Sequence, residues 1–544
     1  MANGMGSLMV GATGLRSSQT ALNTTAHNLS NVNTEGYTRQ QITFADSTYA
    51  NVFSKSLNKG KYGLGVDIDA ISRIRNEFID RSYRTESSRL GFYESQANAV
   101  YEVEDWFGEM QGVTYQQHIT NLYNAVNELT KNPTSTIARS SLIQNATAFI
   151  DRSEAIYSGL KDYQVTLNTE VNNMVEKINS LGQKIYNLNK GIVKVEAEGV
   201  ERANDLRDSR DLALDELSKY IDIDYYETKD GEVIVSAENV PFITKNDIAK
   251  MSVREEGTYG LLIPQWEGYQ QDVYNFDKQA NNANDTDKGK LKGLLIARGV
   301  IEVNYTDIPV MPERADYDLT TEQGMAEYNS AMDAYQQKQD YYNKYIEPSA
   351  ILSAIAGFDK LVNGIVTAMN DVLCPETTMD TTKELTDADG NILKAEKYVY
   401  NASTHDVLYD SHGNVVAGKE NGDGTYSYEA SEKLYVDANQ EETENIDSMT
   451  YKILDMSKAG YGMDDDETRG VELFKRNGTD RYKQITGADG STIYVRNNLN
   501  VTGFETDYTL GNLIVNPEAS QNVGTLPLST EHGKEDFSQV NELI

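Results

Sequence analysis

Apolar positions in this chain follow two periods. The first is helical. Leu8, Leu15, Leu22 and Leu29 recur every seven residues, with Gly11, Ser18, Thr25 and Val32 running beside them. A strict heptad makes one narrow stripe, the seam along which a helix packs on a partner helix. Asn28, Asn31, Asn33 and Gly36 supply turn and cap chemistry, so the spacing predicts a helix ending near Val32. Three-and-four spacing returns at Tyr93, Ala97, Val100, Val103, Phe107 and Met110, and again at Ile119, Leu122, Val126 and Leu129, before Asn132-Pro133 stops it. The longest run steps from Ile156 through Leu160, Leu167, Val171, Ile178 and Ile185 to Val195, with a stutter at Leu167–Val171. It predicts a rod helix over residues 149–195, roughly 70 Å long.

The second period is alternating. It starts at Ile221, where Asp230-Gly231 signals a hairpin and residues 232–236 and 240–243 read as strands. Residues 312–346 are rich in Tyr, Gln, Asp and Lys and read as a solvated helical insertion. Ile351 to Val372 form an amphipathic helix that Cys374-Pro375 ends. In residues 376–508 the pairs Asp389-Gly390, Asn421-Gly422, Asp423-Gly424, Asn477-Gly478 and Asp489-Gly490 mark hairpins between short Tyr, Val and Thr runs. The fold expected is therefore α+β and multidomain, with an N-terminal assembly helix, a long antiparallel helical coiled-coil rod and two β-rich inserted outer domains. The boundaries expected are 1–45 (N-terminal helix and turn), 46–220 (rod), 221–300 (first β-rich domain), 301–350 (polar helical insertion), 351–375 (return helix), 376–508 (second β-rich domain) and 509–544 (return to the rod).

Composition narrows the partners. With 49 Lys plus Arg against 84 Asp plus Glu, the net charge is −35, which makes nucleic acid and anionic membrane surfaces poor partners. Cys374 is the single cysteine, so no disulfide forms within the chain. No secretory leader opens it, and no apolar stretch reads as long enough to span a bilayer.

Catalytic and metal chemistry is sparse. His405 and His412 lack a third ligand, no zinc-protease, P-loop or serine-hydrolase motif is present, and no carboxylate pair singles itself out. Asp387–Asn391 fails the EF-hand template, because Gly390 comes too early and Tyr398 stands where Glu should be. Asp464-Asp465-Asp466-Glu467 reads as a surface charge cluster, with a weak cation site as the minor alternative. Cys374, before a proline at a helix end, reads as a packed thiol. No enzyme activity, cofactor or metal is expected.

The string Asn204-Asp205-Leu206-Arg207-Asp208-Ser209-Arg210-Asp211 places Asp205, Asp208 and Asp211 three apart, roughly on one helix face. With Arg207 and Arg210 interleaved to neutralise them, it reads as an exposed helix start laced with ion pairs rather than a metal site.

Residues 28–40, Asn-Leu-Ser-Asn-Val-Asn-Thr-Glu-Gly-Tyr-Thr-Arg-Gln, resemble the N-terminal signature of the bacterial flagellar axial proteins, the rod, hook and hook-associated proteins. Glu35 stands where that family usually has Pro. The Asn204–Asp211 string, residues 71–84, 119–139 and 289–298 are similar to segments of its hook-associated branch, with Arg207 where that branch often has Leu. The resemblance implies a structural subunit joining hook to filament by self-assembly through helical termini. It implies that Leu8, Leu15, Leu22 and Leu29 supply packing, while Asn28, Asn31, Gly36, Tyr37, Arg39 and Gln40 fix the turn and contact neighbouring subunits; Asn204, Asp205, Leu206, Asp208, Arg210 and Asp211 form the rod motif. Implied partners are copies of itself in a ring, the hook protein, the next hook-associated protein on the filament side, the type III export apparatus and an export chaperone. The implied location is extracellular, on the flagellum, with export that leaves the N-terminus uncut. A hook or distal-rod protein is the near alternative, and a glycan-binding or glycan-cleaving outer domain the far one. The family also has a further helical region and a closing heptad helix, which this sequence lacks up to Ile544. The Leu stripe is accordingly expected to be unpaired here and the isolated chain monomeric.

Overall fold

The computed structural model describes residues 2–52, 60–108, 114–197, 202–256, 260–276, 280–317, 319, 322–381, 448–486, 491–497, 508–531, 534–535 and 537–543, with short strand pieces between 396 and 442. The chain is mixed helix and sheet and divides into two compact units. One comprises Met1–Ala99 with Val165–Val300, the other Val100–Gln164 with Ile301–Ile544.

The first unit opens with α1 (Ala2–Ser30), followed by a turn that carries the chain into an antiparallel pair, β1 (Gln40–Asp46) and β4 (Val66–Arg73). Gln40 pairs with Arg73 and Asp46 with Val66, with a bulge between Thr43 and Phe44. A smaller pair, β2 (Tyr49–Val52) and β3 (Gly60–Gly63), lies between them in sequence. The described residues of 41–82 thus include two antiparallel strand pairs.

The unit then uses the first part of α2 (Glu77–Phe107). This helix buries Arg84, Ser87, Ser88, Gly91, Phe92, Ser95 and Ala99. Gly91 approaches the Lys219 carbonyl so closely that a Cβ would collide with it. The large apolar residues Phe78, Ile79, Tyr83, Leu90 and Tyr93 stay exposed.

Two further helices flanked by turns are α3 (Tyr115–Leu129) and α4 (Thr136–Glu196); α2 and α4 each contribute residues to both units. At 61 residues α4 begins well before Phe149. The expectation of a start there missed that Leu142, Ile143, Ala146, Phe149 and Ile150 are already buried helical positions. In the first unit α4 lies beside α5 (Asn204–Tyr220), with a Lys177–Glu216 ion pair at 2.7 Å.

The strands of residues 221–300 lie along α4. They are β5 (Ile223–Glu227), β6 (Val233–Ala237) and β7 (Val240–Ile243) in one sheet, and β8 (Met251–Glu256), β9 (Leu261–Trp266) and β10 (Gln271–Asp272) in another, followed by α6 (Lys290–Arg298). The Asp230-Gly231 turn closes the β5–β6 hairpin, Gly231 taking a φ of +84°.

Three asparagines fasten this layer, each using its amide in both senses. Asn168 donates to the Gly260 carbonyl and accepts from the Leu262 N–H. Asn179 does both with Met251, at 2.8 and 2.9 Å, and Asn189 does both with Val233, at 2.8 and 3.0 Å. Spacings of 11 and 10 residues are close to three helical turns, so the three fall on one face of α4. A side-chain amide has the donor and acceptor of a peptide group, so each asparagine pairs with a strand as a neighbouring strand would.

The second unit contains α7 (Glu322–Tyr345) and α8 (Ala350–Leu373), the latter N-capped by Ser349. The expectation that no stretch reaches membrane-spanning length is corrected by α8, which is long and apolar enough to cross a bilayer. It is instead a core helix. Ile351, Leu352, Ile355, Phe358, Val362, Val366, Met369 and Leu373 are buried in the protein, and so are Asp359 and Asn370.

The strands of this unit are β11 (Glu376–Thr381), β12 (Glu396–Tyr398), five two-residue strands β13–β17 between Leu408 and Glu442, β18 (Ser448–Leu454), β19 (Phe474–Arg476), β20 (Tyr482–Thr486), β21 (Thr492–Arg496) and β22 (Leu513–Val515). β11, β18, β21 and β20 form one sheet, with β12 on β18, and β19 pairs with β22. Asn370 repeats the amide device, donating to the Phe474 carbonyl and accepting from the Leu473 and Phe474 N–H groups. The Asn477-Gly478 turn follows β19, Gly478 taking a φ of +73°. The other four predicted hairpin turns, Asp387–Asn391, His405 and His412 lie outside the described residues.

Arg139, fully buried near the start of α4, organises the return segment. It donates to the carbonyls of Pro133 and Leu526, each at 2.8 Å, and to the Ser529 hydroxyl at 2.9 Å. Burial with no carboxylate beside it lowers this guanidinium to about 10.

Candidate assembly site

The site is built in the first unit from α1, the turn after it, the β1–β4 pair and α5. On α1 two faces have separate tasks. Thr13, Gly14, Ser17, Ala21, Thr24 and Asn28, at three-and-four spacing, are the partly covered face. Ser17 donates to the Val66 carbonyl, and Gly65, at φ +115°, lies so close to Thr13 that a Cβ would overlap its hydroxyl. Small residues on both sides let the helix sit down on β4.

The heptad stripe lies on the other face. Leu8, Leu15, Leu22 and Leu29 are 77%, 75%, 70% and 74% exposed, and Val32 is exposed with them. The helix therefore docks on its own unit by small residues and leaves its large apolar seam outside. Met1 to Thr34 also holds no Asp or Glu, in a chain that has 84. A surface without carboxylates can approach an acidic copy of the chain without like-charge repulsion.

Asn28 and Tyr37 set the turn. Asn28 donates to the Gln40 carbonyl and accepts from the Gln40 N–H, both at 2.9 Å, and the Tyr37 hydroxyl donates to the same Asn28 oxygen at 2.8 Å. Asn31 donates to the His27 carbonyl and accepts from the Thr34 hydroxyl. Gly36, at φ +77°, presses on Leu212 of α5, where a side chain would meet the leucine. The Arg39 side chain is exposed, and its carbonyl accepts from the Ile74 N–H.

The α5 string is not an exposed charged helix start. Asn204, Asp208, Arg210 and Asp211 are buried, while Asp205 is exposed. Steps of three lag the 3.6-residue turn, so Asp205 drifts off the face while Asp208, Asp211 and Asp215 stay near it. Their partners are not Arg207 and Arg210 but arginines distant in sequence. Arg73 reaches Asp208 at 2.8 Å and Asp211 at 2.7 Å, and Arg84 reaches Asp215 at 2.7 Å while lying over the Tyr225 ring.

Burial opposes ionisation of Asp211, but Arg75 and Arg73 outweigh it and hold the carboxyl below its ordinary value. Asp208 also accepts from the Thr38 N–H, and Asn204 donates to the Ile71 carbonyl, so the string holds both the turn and β4. Arg207 and Arg210 lie on the next face. There Arg207 pairs with Glu196 and Glu227, and Arg210 with Glu227, the Gly231 carbonyl and Asn189. Hydrogen bonds from Arg207 hold Glu196 down at about 2. Leu206 is partly covered and lies close to Gly191 of α4.

Among the described residues no cluster of His, Cys, Asp and Glu is arranged to hold a metal. Asp464 spends its carboxylate on the Thr468 N–H and hydroxyl, closing its own turn. Cys374 is buried, and burial raises its thiol well above the ordinary range. Sequence reading missed Arg73, Arg75, Arg84 and the α4 asparagines. The available signal was polar residues at buried helical spacing, Asn168, Asn179 and Asn189, inside an otherwise apolar stripe.

The first unit thus joins an N-terminal helix with an exposed apolar seam, a turn, and a helix that grips that turn. Residues 8–38 match the family model for the flagella basal body rod protein, and residues 100–331 match that for the flagellar hook-associated protein FlgK helical domain. Flagellar hook-associated protein 1 of Bacillus subtilis (strain 168) is 30% identical over 310 residues, 55% of this chain and 61% of that protein. The protein of the same name from Salmonella typhimurium is 26% identical over 213 residues, 39% of this chain and 37% of that protein. The solved hook junction protein FlgK of Burkholderia pseudomallei superposes with a TM-score of 0.38 at 12% identity, over 84% of this chain and 66% of that one, too loosely to define the fold. The chain is similar to flagellar hook-associated proteins over these segments, and it spans under two thirds of the length of the two relatives.

Proposed function

We propose that this chain is a structural subunit of the bacterial flagellum that joins hook to filament, assembling through its helical terminus rather than catalysing a reaction. The observation that carries the reading is the exposed, carboxylate-free Leu8–Leu29 seam on a helix already docked by its opposite face. A helix stabilised only by its own domain would bury its leucines and expose its small polar residues. Here the reverse holds, which supports a seam filled on assembly. Leu8, Leu15, Leu22 and Leu29 supply the packing. Asn28, Asn31, Gly36, Tyr37, Arg39 and Gln40 set the angle at which the seam is presented, and the Asn204–Asp211 string braces that turn.

The partners proposed are further copies in a ring, the hook protein and the next hook-associated protein, reached on the extracellular flagellum after type III export with a chaperone and an uncut N-terminus. The hook or distal-rod alternative draws on the rod-type match at residues 8–38 but leaves the hook-associated match over residues 100–331 unexplained. The test is complementation of a flagellated strain lacking its hook-associated subunit. The native gene is expected to restore filaments and swimming. Leu15→Asp with Leu22→Asp is expected to leave hooks without filaments. Normal filaments from that double variant would overturn the role of the seam.

A further inference from the structure

Within the second unit, residues 508–511 turn through two left-handed positions, Tyr508 at φ 51° and Gly511 at φ 90°. For tyrosine this backbone is strained, so the surroundings must hold it. Three carboxyls from three elements converge on these four residues. The Tyr508 hydroxyl donates to Glu472, just before β19. The Leu510 N–H donates to Asp359 of α8 at 2.7 Å. The Gly511 N–H donates to Glu154 of α4 at 2.9 Å. Asp359 also accepts from the Tyr305 N–H at 2.9 Å, so one side chain ties two passes of the chain together.

Asp359 and Glu472 are almost wholly buried. Among the described residues the second Glu472 oxygen, Oε1, has no hydrogen-bond partner. The groups facing Glu472 are Tyr508, Arg481, Arg476 and Arg496, with Asn370 of α8 at 3.5 Å and the Cys374 thiol nearby. Asp359 and Glu154 face each other, with Asp151 beside Glu154. The donors to Asp359 are neutral backbone amides.

We propose that Glu154, Asp359 and Glu472 form a proton-operated latch on Tyr508–Gly511, closed while they are protonated and loosened as they ionise. A neutral carboxyl still accepts through its carbonyl oxygen, so protonation keeps the hydrogen bonds; ionising Glu154 sets its charge against Asp359 and Asp151, and ionising Glu472 takes a charge into an almost wholly buried position. Burial is the largest influence on all three groups and raises each, Glu472 to about 7. A carboxyl whose folded value lies above its unfolded value stabilises the fold fully below the unfolded value, and that contribution is lost as pH rises to the folded value. For Glu472 the window runs from the ordinary 4.5 to about 7.

The test is hydrogen exchange by mass spectrometry on the full chain between pH 5 and 8, corrected for the intrinsic rate of each amide. Protection of the peptide spanning residues 508–515 is expected to fall by about tenfold or more across this range. Glu472→Gln is expected to remove most of that fall. Should that variant not fold, Glu154→Gln, at a half-covered helix position, is expected to reduce the fall. A flat profile in the native chain, or a native slope in the folded variants, would overturn the latch.

Discussion

At the scale of single residues, the recurring device is the asparagine that acts as a detached peptide group. Asn28, Asn179 and Asn189 each donate to and accept from the backbone of a single residue, and Asn168 and Asn370 hold adjacent backbone groups in the same way. The device gives a helix direct hold of a strand without a paired edge. Replacing the amide orphans two backbone groups, each costing about 1–3 kcal/mol when buried. Asn179→Ala is accordingly expected to lower the urea midpoint more than Asn173→Ala, an exposed control on the same helix. Glu196 supplies a second test at this scale. Its folded value, about 2, lies below the ordinary 4.5. Its contribution is therefore present above pH 4.5 and lost as pH falls towards 2. Glu196→Gln should flatten that part of an acid-unfolding profile, and an unchanged acid limb would refute the pairing with Arg207. None of these partners is visible in sequence, since Glu196, Arg207 and Glu227 become neighbours only when α4, α5 and β5 meet.

At the scale of elements, α1 docks by glycine, serine and other small residues and exposes large apolar ones, while the first part of α2 buries Arg84 and Phe92 beside its small residues and exposes Phe78, Ile79, Tyr83, Leu90 and Tyr93. Sequence reading found the α1 stripe and its turn because a heptad and an Asn/Gly cluster are local signals. It could not tell which face docks, because that depends on how closely β4 approaches, and the approach is set by Gly65. Two expectations follow. Leu15→Asp with Leu22→Asp should change the stability of the isolated chain by no more than about 0.5 kcal/mol, since the side chains touch solvent. Gly65→Val should release α1 from β4, seen as faster hydrogen exchange across residues 10–24 with α4 unaffected. Preserved protection of α1 in Gly65→Val would show that the close approach is not what seats it.

At the scale of the whole molecule, the second unit is closed by a segment that comes back late in the chain to Arg139. Arg139→Met keeps the apolar stem but removes every donor that reaches Pro133, Leu526 and Ser529. It is expected to cost about 3 kcal/mol or more and to open residues 517–530 to limited proteolysis. Resistance equal to the native chain would refute the role. The sequence by itself determined the periods, and so the helices, the hairpin at Asp230-Gly231 and the long rod. It also carried the resemblance to flagellar hook-associated proteins, through two short motifs whose residue identities are local. Tertiary structure alone decided what those motifs do for each other. Asp208 of the α5 string accepts from Thr38 of the turn, and Arg73 and Arg84 neutralise acids some 130 positions away. Charge pairing across such separations carries no periodic signature, and buried and exposed carboxylates look alike in so acidic a chain. Only the packed fold shows that Asp208, Asp211 and Asp215 face inward while Leu8, Leu15, Leu22 and Leu29 face out.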